Sequence, residues 1–286
     1  MLVGSWNVAN LGGQERTASH YRLLAEIVSW FDVCAIQEVK DDLGGLRGLL
    51  TALKRLPGSW RTIFTDKAGN DERLAFVYDA EVLEPAEKIG ELAIPAAEKR
   101  AIRLPRIRRA FDDFDRHPHI ATFRRPHSRN IIELVNVHLY FGPQDSAAER
   151  RGSRERRQLE AFAVGRWCSL RHDDEHTYTQ LIAALGDFNL PKRDPGDEIY
   201  QALTKRGLTL PDHSTKIASS ISTDAEYDQV AFLPGPMGHR FLRGGVFDYD
   251  GAVFPGLWEK RGRQDFVAYC RYYMSDHRPI WAQFRL

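Results

Sequence analysis

Short apolar runs of strand type alternate along the chain with stripes of helical spacing. Leu2–Val8 reads as a strand. Leu24, Ile27, Val28 and Phe31 follow at i, i+3, i+4, i+7, the spacing of one helix face. Val33–Val39 is a short apolar strand. Leu46, Leu49, Leu50 and Leu53 mark a second helix, with Asp41 or Asp42 as its cap. Strand runs with little helix between them come next, at Thr62–Thr65, Arg73–Tyr78, Ile120–Phe123 and Asn130–Tyr140. Ser146-x-x-Glu149 forms a capping box that opens a long helix with the stripe Leu159, Phe162, Ala163, Trp167 and Leu170. Further strands are expected at Leu181–Gly186, Tyr227–Leu233 and Pro279–Leu286, the last preceded by a helical segment. Strand clusters mixed with a few helices predict sheets covered by helices, with a large antiparallel share.

No repeat, low-complexity tract or long linker interrupts this pattern, so residues 1–286 read as a single domain. The 43% hydrophobic and 28% charged content is that of an ordinary globular protein. Forty basic and thirty-nine acidic residues nearly cancel, and net charge argues neither for nor against a polyanionic partner. No apolar run approaches the ~20 residues of a membrane-spanning helix. The start, MLVGSWNVAN, lacks a secretory pattern. The expectation is a cytoplasmic protein, or a secreted one if a leader was trimmed before numbering. Cys34, Cys168 and Cys270 are odd in number and form no C-x-x-C pair, which predicts reduced, buried thiols. The oligomeric state is left open.

Polar residues at strand ends carry the candidate chemistry. They are Asn7 in GSWNVAN, Glu38 in CAIQEVK, His138 in LVNVHLY, Asp187 and Asn189 in LGDFNL, Asp228 in EYDQVAF, and Asp276-His277 in MSDHRPI. Strand ends converge on one rim of a sheet, where α/β folds place ligands. Glu38, Asp187, Asn189, Asp276 and Asn7 offer hard oxygen ligands suited to Mg²⁺, Mn²⁺ or Ca²⁺. His138 and His277 can donate protons to phosphate oxygens, with Asp228 or Glu72 orienting the imidazoles and favouring their charged form. This set suits in-line attack of water on phosphorus.

WN, QEV, the H-L of VHLY, GDFN, YD and SDH occur in this order. That order resembles the endonuclease/exonuclease/phosphatase superfamily, which includes deoxyribonuclease I, abasic-site endonucleases, sphingomyelinases and inositol polyphosphate 5-phosphatases. The resemblance runs from Val3 to Phe284. It implies a deoxyribonuclease I-like α/β fold of the α+β type, a four-layer sandwich of two packed mixed β-sheets flanked by helices. It also implies a metal on Glu38, helped by Asn7 and Asp276. Asp187 would activate or orient water, Asn189 would hold phosphate, and Asp228 would pair with His277. NDERLAFVYD resembles the segment whose glutamate supports the first histidine, which puts Glu72 behind His138. FDRHPHIATF resembles the segment of a phosphate-contacting arginine, here Arg116. VHLY departs from the NTHL form common in the superfamily.

Charge is uneven along the chain. Lys99–Arg129 holds ten basic side chains against three acidic ones, and Glu149–Arg157 holds five arginines against two glutamates. Such segments beside a phosphate-cutting site suit a polyanion. A solvated loop explains the first equally well, and the polar side of a helix explains the second better. Three patterns are decoys. His172-x-x-Glu175-His176 lies in a polar stretch after a helix. Ser275-Asp276-His277 cannot form a triad from successive side chains, and the NLGG loop lacks a phosphate-binding pattern.

The resulting expectation is a divalent-metal-dependent phosphodiesterase, a deoxyribonuclease I-like endonuclease acting on DNA. The alternatives are a phosphatase, or a phosphoinositide- or sphingomyelin-directed phosphodiesterase, on the same core. A non-catalytic partner-binding module would be marked by loss of a metal ligand or a histidine, and every expected position is filled.

Overall fold

The computed structural model describes residues 1–40 and 42–286, without the side chains of residues 255, 257, 258, 260, 261 and 263. In chain order the elements are β1 (Leu2–Leu11), α1 (Ala18–Val28), β2 (Val33–Lys40), α2 (Gly44–Leu53), β3 (Trp60–Phe64), β4 (Glu72–Asp79), β5 (Glu84–Glu91), α3 (Ala96–Lys99), β6 (His119–Arg124) and β7 (Ile131–His138). They continue with α4 (Ala147–Asp173), β8 (Ile182–Asp187), α5 (Glu198–Thr204), β9 (Asp228–Phe232), β10 (Phe241–Val246), α6 (Tyr249–Val253), α7 (Pro255–Tyr273) and β11 (Ile280–Phe284).

Two parallel strand pairs organise the molecule. Parallel neighbours need a long crossover, and a helix supplies it each time. β1 and β2 run parallel across α1, and β7 and β8 run parallel across α4. Antiparallel strands extend each pair. One sheet has the order β10-β11-β1-β2-β4-β3 and the other β5-β6-β7-β8-β9.

The sheets pack face to face over an apolar layer that includes Val3, Ala35, Phe76, Phe123, Leu134, Leu185, Phe232 and Phe284. On the outer face of the first sheet, Leu24, Val28, Leu46, Leu49 and Phe266 of α1, α2 and α7 cover Trp6, Val8 and Ile36. On the second, Leu159, Phe162, Ala163 and Leu203 of α4 and α5 cover Val135, Val137 and Ala184. The result is the expected four-layer sandwich of two mixed sheets between helices.

A polar contact joins the two sheets. The fully buried Gln37 amide donates to Ser5 Oγ at 3.0 Å and to Asn136 Oδ1 at 2.7 Å. Asn136 Nδ2 donates in turn to the carbonyls of Ile36 and Ala75, at 3.2 and 2.9 Å. These bonds link β1, β2, β4 and β7 in a region closed to water, although Gln37 Oε1 is buried there with no hydrogen-bond partner among the described residues.

The structure adds β5 and β10 to the expected strands. Both are edge strands, one charged (EPAEKIGE) and one glycine-rich (FLRGGV), and neither has the apolar run of a central strand. Phe31 is buried but lies past the end of α1, and Leu170, expected in the α4 stripe, is 41% exposed. The Ser146–Glu149 capping box forms as expected. The N-cap of α2 is Leu43, with no side-chain cap; the expected Asp42 lies one residue earlier, where its Oδ1 accepts from Gly44 N at 2.8 Å, and Asp41 lies outside the described residues. All three cysteines are buried free thiols. Among the described residues no helix is long and apolar enough to cross a membrane.

Asn136→Ala leaves Gln37 Nε2 with Ser5 alone and removes the side-chain donor to the Ile36 and Ala75 carbonyls, and is expected to cost about 2–4 kcal/mol of stability in urea unfolding. A loss below about 0.5 kcal/mol, the size of an ordinary surface change, contradicts this account of the sheet contact.

Candidate active site

A single amide ties the ends of the two sheets together. Asn7 Nδ2, on β1, donates to Glu38 Oε1 at 3.0 Å and to Asp187 Oδ2 at 3.0 Å. Glu38 sits where the ladder of β2 slips register, and its φ of 59° is left-handed. Its other oxygen accepts from Asn10 N at 2.8 Å. Asn10 and Asn189 also have left-handed φ, 50° and 49°. Such backbone costs energy in non-glycine residues and gathers at functional sites.

Asp187 ends β8 at the centre of the cluster. Its Oδ1 accepts from Asn189 N at 2.8 Å. Its Oδ2 lies 3.6 Å from His138 Nε2 and 3.9 Å from His277 Nε2. The glycine of GDFN is forced by packing: Gly186 has φ 141°, and a Cβ there would lie 2.1 Å from the Val137 carbonyl oxygen. Burial, partly offset by His277, pushes the Asp187 carboxyl up to about 7.

His277 Nδ1 pairs with Asp228 Oδ2 at 2.7 Å. Three groups fix its backbone. Trp6 Nε1 donates to its carbonyl, and its N–H donates to Ser275 Oγ, which itself donates to the Asn7 carbonyl. Burial opposes charge on this imidazole, but Asp228 and Asp187 outweigh it and raise its pKa well above the ordinary value.

His138 goes the other way. Glu72 Oε2 lies 3.5 Å from its Nδ1, the juxtaposition expected from the sequence. Glu72 is shared, however, with Lys40 at 3.0 Å and Arg116 at 3.0 Å. Burial and the charges of Arg116, His277 and Lys40 push His138 well below the ordinary histidine value. The expectation that both imidazoles favour charge therefore holds for His277 and not for His138. A neutral imidazole still donates one N–H.

Arg116 is 4% exposed and turned inward. Its Nε and Nη2 donate to the His138 and Leu139 carbonyls at 3.1 and 3.2 Å, and its Nη1 to Glu72. It braces the end of β7 and Glu72, in place of the phosphate contact the sequence suggested. Asn189 Nδ2 also donates to the Leu139 carbonyl, at 2.9 Å. Asp276 is half-buried, and its carboxylate pairs with Arg271 at 3.4 Å. The cluster thus brings together Asn7, Glu38, Glu72, His138, Asp187, Asn189, Asp228 and His277.

Two side chains with structural grip on the site were not singled out from the sequence. Arg157, on α4, donates to the Tyr140 carbonyl at 2.7 Å and the Asn189 carbonyl at 3.1 Å. Glu160, 1% exposed, accepts from Tyr140 N and Asp115 N at 2.8 and 3.1 Å. Arg157 is hidden among the five arginines of its segment. Arg150, Arg154 and Arg157 stand at i, i+4, i+7, on one helix face away from the apolar stripe, so no spacing signal sets Arg157 apart.

The donor set suits a hard cation. Asn7 Oδ1 is buried with no hydrogen-bond partner among the described residues, beside the Glu38 carboxylate. A second grouping, Asp187, Asp228 and His277, has ligand atoms within 4.8 Å of one another. There the Asp228–His277 hydrogen bond and the charged state of the imidazole argue for a proton rather than a metal between them. The decoy at residues 172–176 is solvated: His176 is 87% and Glu175 86% exposed.

A two-sheet sandwich with carboxylates, amides and two histidines at the joined strand ends is the architecture of the deoxyribonuclease I-like fold. Comparison with solved structures agrees over the full chain. An endonuclease/exonuclease/phosphatase family protein from Bacteroides thetaiotaomicron superposes with a TM-score of 0.59 at 17% identity, covering 99% of this chain and 94% of that one. The mannosyl-6-phosphatase of the same organism gives 0.61 at 18%, covering 100% of both chains. In sequence, the chain is 27% identical to a deoxyribonuclease of a Thioalkalivibrio species, over 99% of this chain and 71% of that protein. No protein-family model matches the chain. The chain has the fold of the endonuclease/exonuclease/phosphatase superfamily, as its ordered motifs implied.

The opposite pKa shifts can be read directly by NMR. His277 is expected to stay imidazolium at pH values where an ordinary histidine is neutral, and His138 to stay neutral where an ordinary one is charged. Asp228→Asn removes a charge that raises the His277 pKa, so its titration should move to lower pH. An unmoved titration refutes this account of the pair.

Proposed function

We propose that the protein is a divalent-metal-dependent phosphodiesterase, a deoxyribonuclease I-like endonuclease that cuts DNA. The observation that carries this reading is the Asp187 carboxylate, held by Asn7 and Asn189 and faced by His138 and His277, whose surroundings push their pKa values in opposite directions. A base, a cationic donor and a neutral donor around one point suit attack of water on phosphorus.

Glu38, with Asn7 and Asp276, would hold the ion, Mg²⁺ with Mn²⁺ or Ca²⁺ as substitutes. When bound, the ion neutralises charge on the scissile phosphate. Asp187 takes the proton of the attacking water, a task suited to a carboxyl raised to about 7. His277, oriented by Asp228, presents positive charge to the phosphate oxygens, and His138 donates its single N–H. Asn189 steadies the phosphate. Glu72 and Arg116 hold His138 in place.

Similarity to a protein named deoxyribonuclease supports DNA as substrate. So do the exposed arginines 103, 106, 108 and 109, which present a basic surface on the loop before β6. A cytoplasmic location belongs to the same reading.

The test is a panel of supercoiled plasmid, abasic duplex, single-stranded RNA, phosphoinositide and sphingomyelin, each with Mg²⁺ and with EDTA. Plasmid nicking that EDTA abolishes is the expected result. Hydrolysis of the phosphoinositide or of sphingomyelin without nicking would replace this reading by its phosphatase or lipid-directed alternative. Glu38→Ala and His277→Ala are each expected to lower kcat by about 10²–10⁴-fold with an unchanged melting curve. Below pH 7 the rate should fall as Asp187 gains its proton.

A further inference from the structure

The corner that follows β7 is built more rigidly than a connection requires. Phe141, three residues past His138, is 52% exposed, although it is a large apolar side chain. Its inner side is covered by the Arg157 guanidinium, 5.0 Å from the ring centroid. Arg157 is 6% exposed and is fixed by the Tyr140 and Asn189 carbonyls, so the support under Phe141 is anchored to the site itself. Next to it, Arg156 lies 4.1 Å from the Tyr140 ring centroid, and Glu160 accepts from the Tyr140 N–H.

The rest of the corner is stitched down residue by residue. Gln144 Nε2 donates to the Gly142 carbonyl, Ser153 Oγ to the Pro143 carbonyl and Arg150 Nη1 to the Gln144 carbonyl. Gly142 packs so tightly that a Cβ would lie 2.3 Å from the Tyr140 hydroxyl. An aromatic ring half exposed on an anchored backbone, with a fixed guanidinium against it, offers surface to a flat partner at little cost in backbone ordering.

The surroundings say which flat partner. Arg151 and Arg154 point outward from the first turns of α4, and Arg154 has only a distant contact with Glu198, at 4.0 Å. The segment Glu149–Arg157 therefore divides: Arg156 and Arg157 turn in under two aromatic rings, and Arg151 and Arg154 stay in solvent. The Arg157 guanidinium that touches the Phe141 ring at 5.0 Å also donates to the Asn189 carbonyl at 3.1 Å, so the ring stands one side chain away from the site. An aromatic face with cations beside a phosphodiester site matches an unpaired nucleobase and its neighbouring phosphates.

We propose that Phe141 is a specificity-determining residue that stacks an unpaired base beside the scissile phosphate, with Arg151 and Arg154 on the adjoining phosphates. This rests on the phosphodiesterase reading above and adds to it a strand state, single-stranded or locally unpaired nucleic acid.

The experiment compares a single-stranded oligodeoxynucleotide with an equal-length oligomer of abasic residues, which has the same phosphates and no bases. Wild type should prefer the base-bearing oligomer. In Phe141→Ala the ratio of the two kcat/KM values is expected to fall about 10-fold, and Phe141→Trp to keep it. Phe141→Leu retains apolar bulk without an aromatic face and should behave as the alanine variant does, which separates stacking from loss of packing. Arg151→Gln with Arg154→Gln should flatten the slope of log(kcat/KM) on log salt by about 1.4. A ratio unchanged in Phe141→Ala and Phe141→Leu, with both oligomers cleaved, overturns the stacking role and leaves the phosphodiesterase reading standing. Cleavage of neither oligomer by a preparation that nicks plasmid overturns the stacking role and the strand state and leaves the phosphodiesterase reading standing; cleavage of neither oligomer and no nicking overturns both.

Discussion

Gln37 and Asn136 meet in a region that water does not reach, and the alignment of the two sheets follows from that contact. An apolar interface tolerates small slides, because dispersion and burial are almost indifferent to direction. A pair of buried amides is not indifferent: a shift by one residue would strand donors and acceptors at a cost no packing gain offsets. Ser5, Gln37 and Asn136 lie on β1, β2 and β7, which also carry Asn7, Glu38 and His138. Registering the sheets and assembling the chemistry are therefore one structural task. The amide of Asn7, shared between Glu38 of one sheet and Asp187 of the other, repeats the same joint one step nearer the rim.

The site then separates two identical side chains by their surroundings. Both histidines are buried, and burial alone disfavours charge on each. Around His277 the carboxylates of Asp228 and Asp187 outweigh that penalty. Around His138 the close carboxylates among the described residues are Glu72, already committed to Arg116 and Lys40, and Asp187, shared with His277. Opposite protonation states next to a shared carboxylate give one acceptor and two unlike donors, the division of labour acid–base chemistry needs.

Much of this was legible in the residues, because the central strands carry both an apolar run and a polar terminus. Asn7, Glu38, His138, Asp187, Asp228 and His277 could be read as strand ends, and the structure gathers them. Glu72 was also placed correctly behind His138. Pairing partners were harder. Arg116 has the same letter whether its guanidinium faces phosphate or two backbone carbonyls, and only the fold shows that it turns inward. Arg157 and Glu160 lay in a charged stretch whose composition looks like a solvated helix face, yet they reach across to loops far away in sequence. β5 and β10 escaped because edge strands need neither continuous apolar runs nor strict alternation.

Ser275 donates to the carbonyl of Asn7 across 268 positions of chain, and β11 then pairs with β1 on one side and β10 on the other. The reactive constellation thus spans almost the entire length of the polypeptide. During synthesis, Asn7, Glu38, His138 and Asp187 leave the ribosome long before His277 exists. The constellation is incomplete until β11 docks beside β1, and because β11 lies inside its sheet, between β10 and β1, pairing on both sides holds His277 in place.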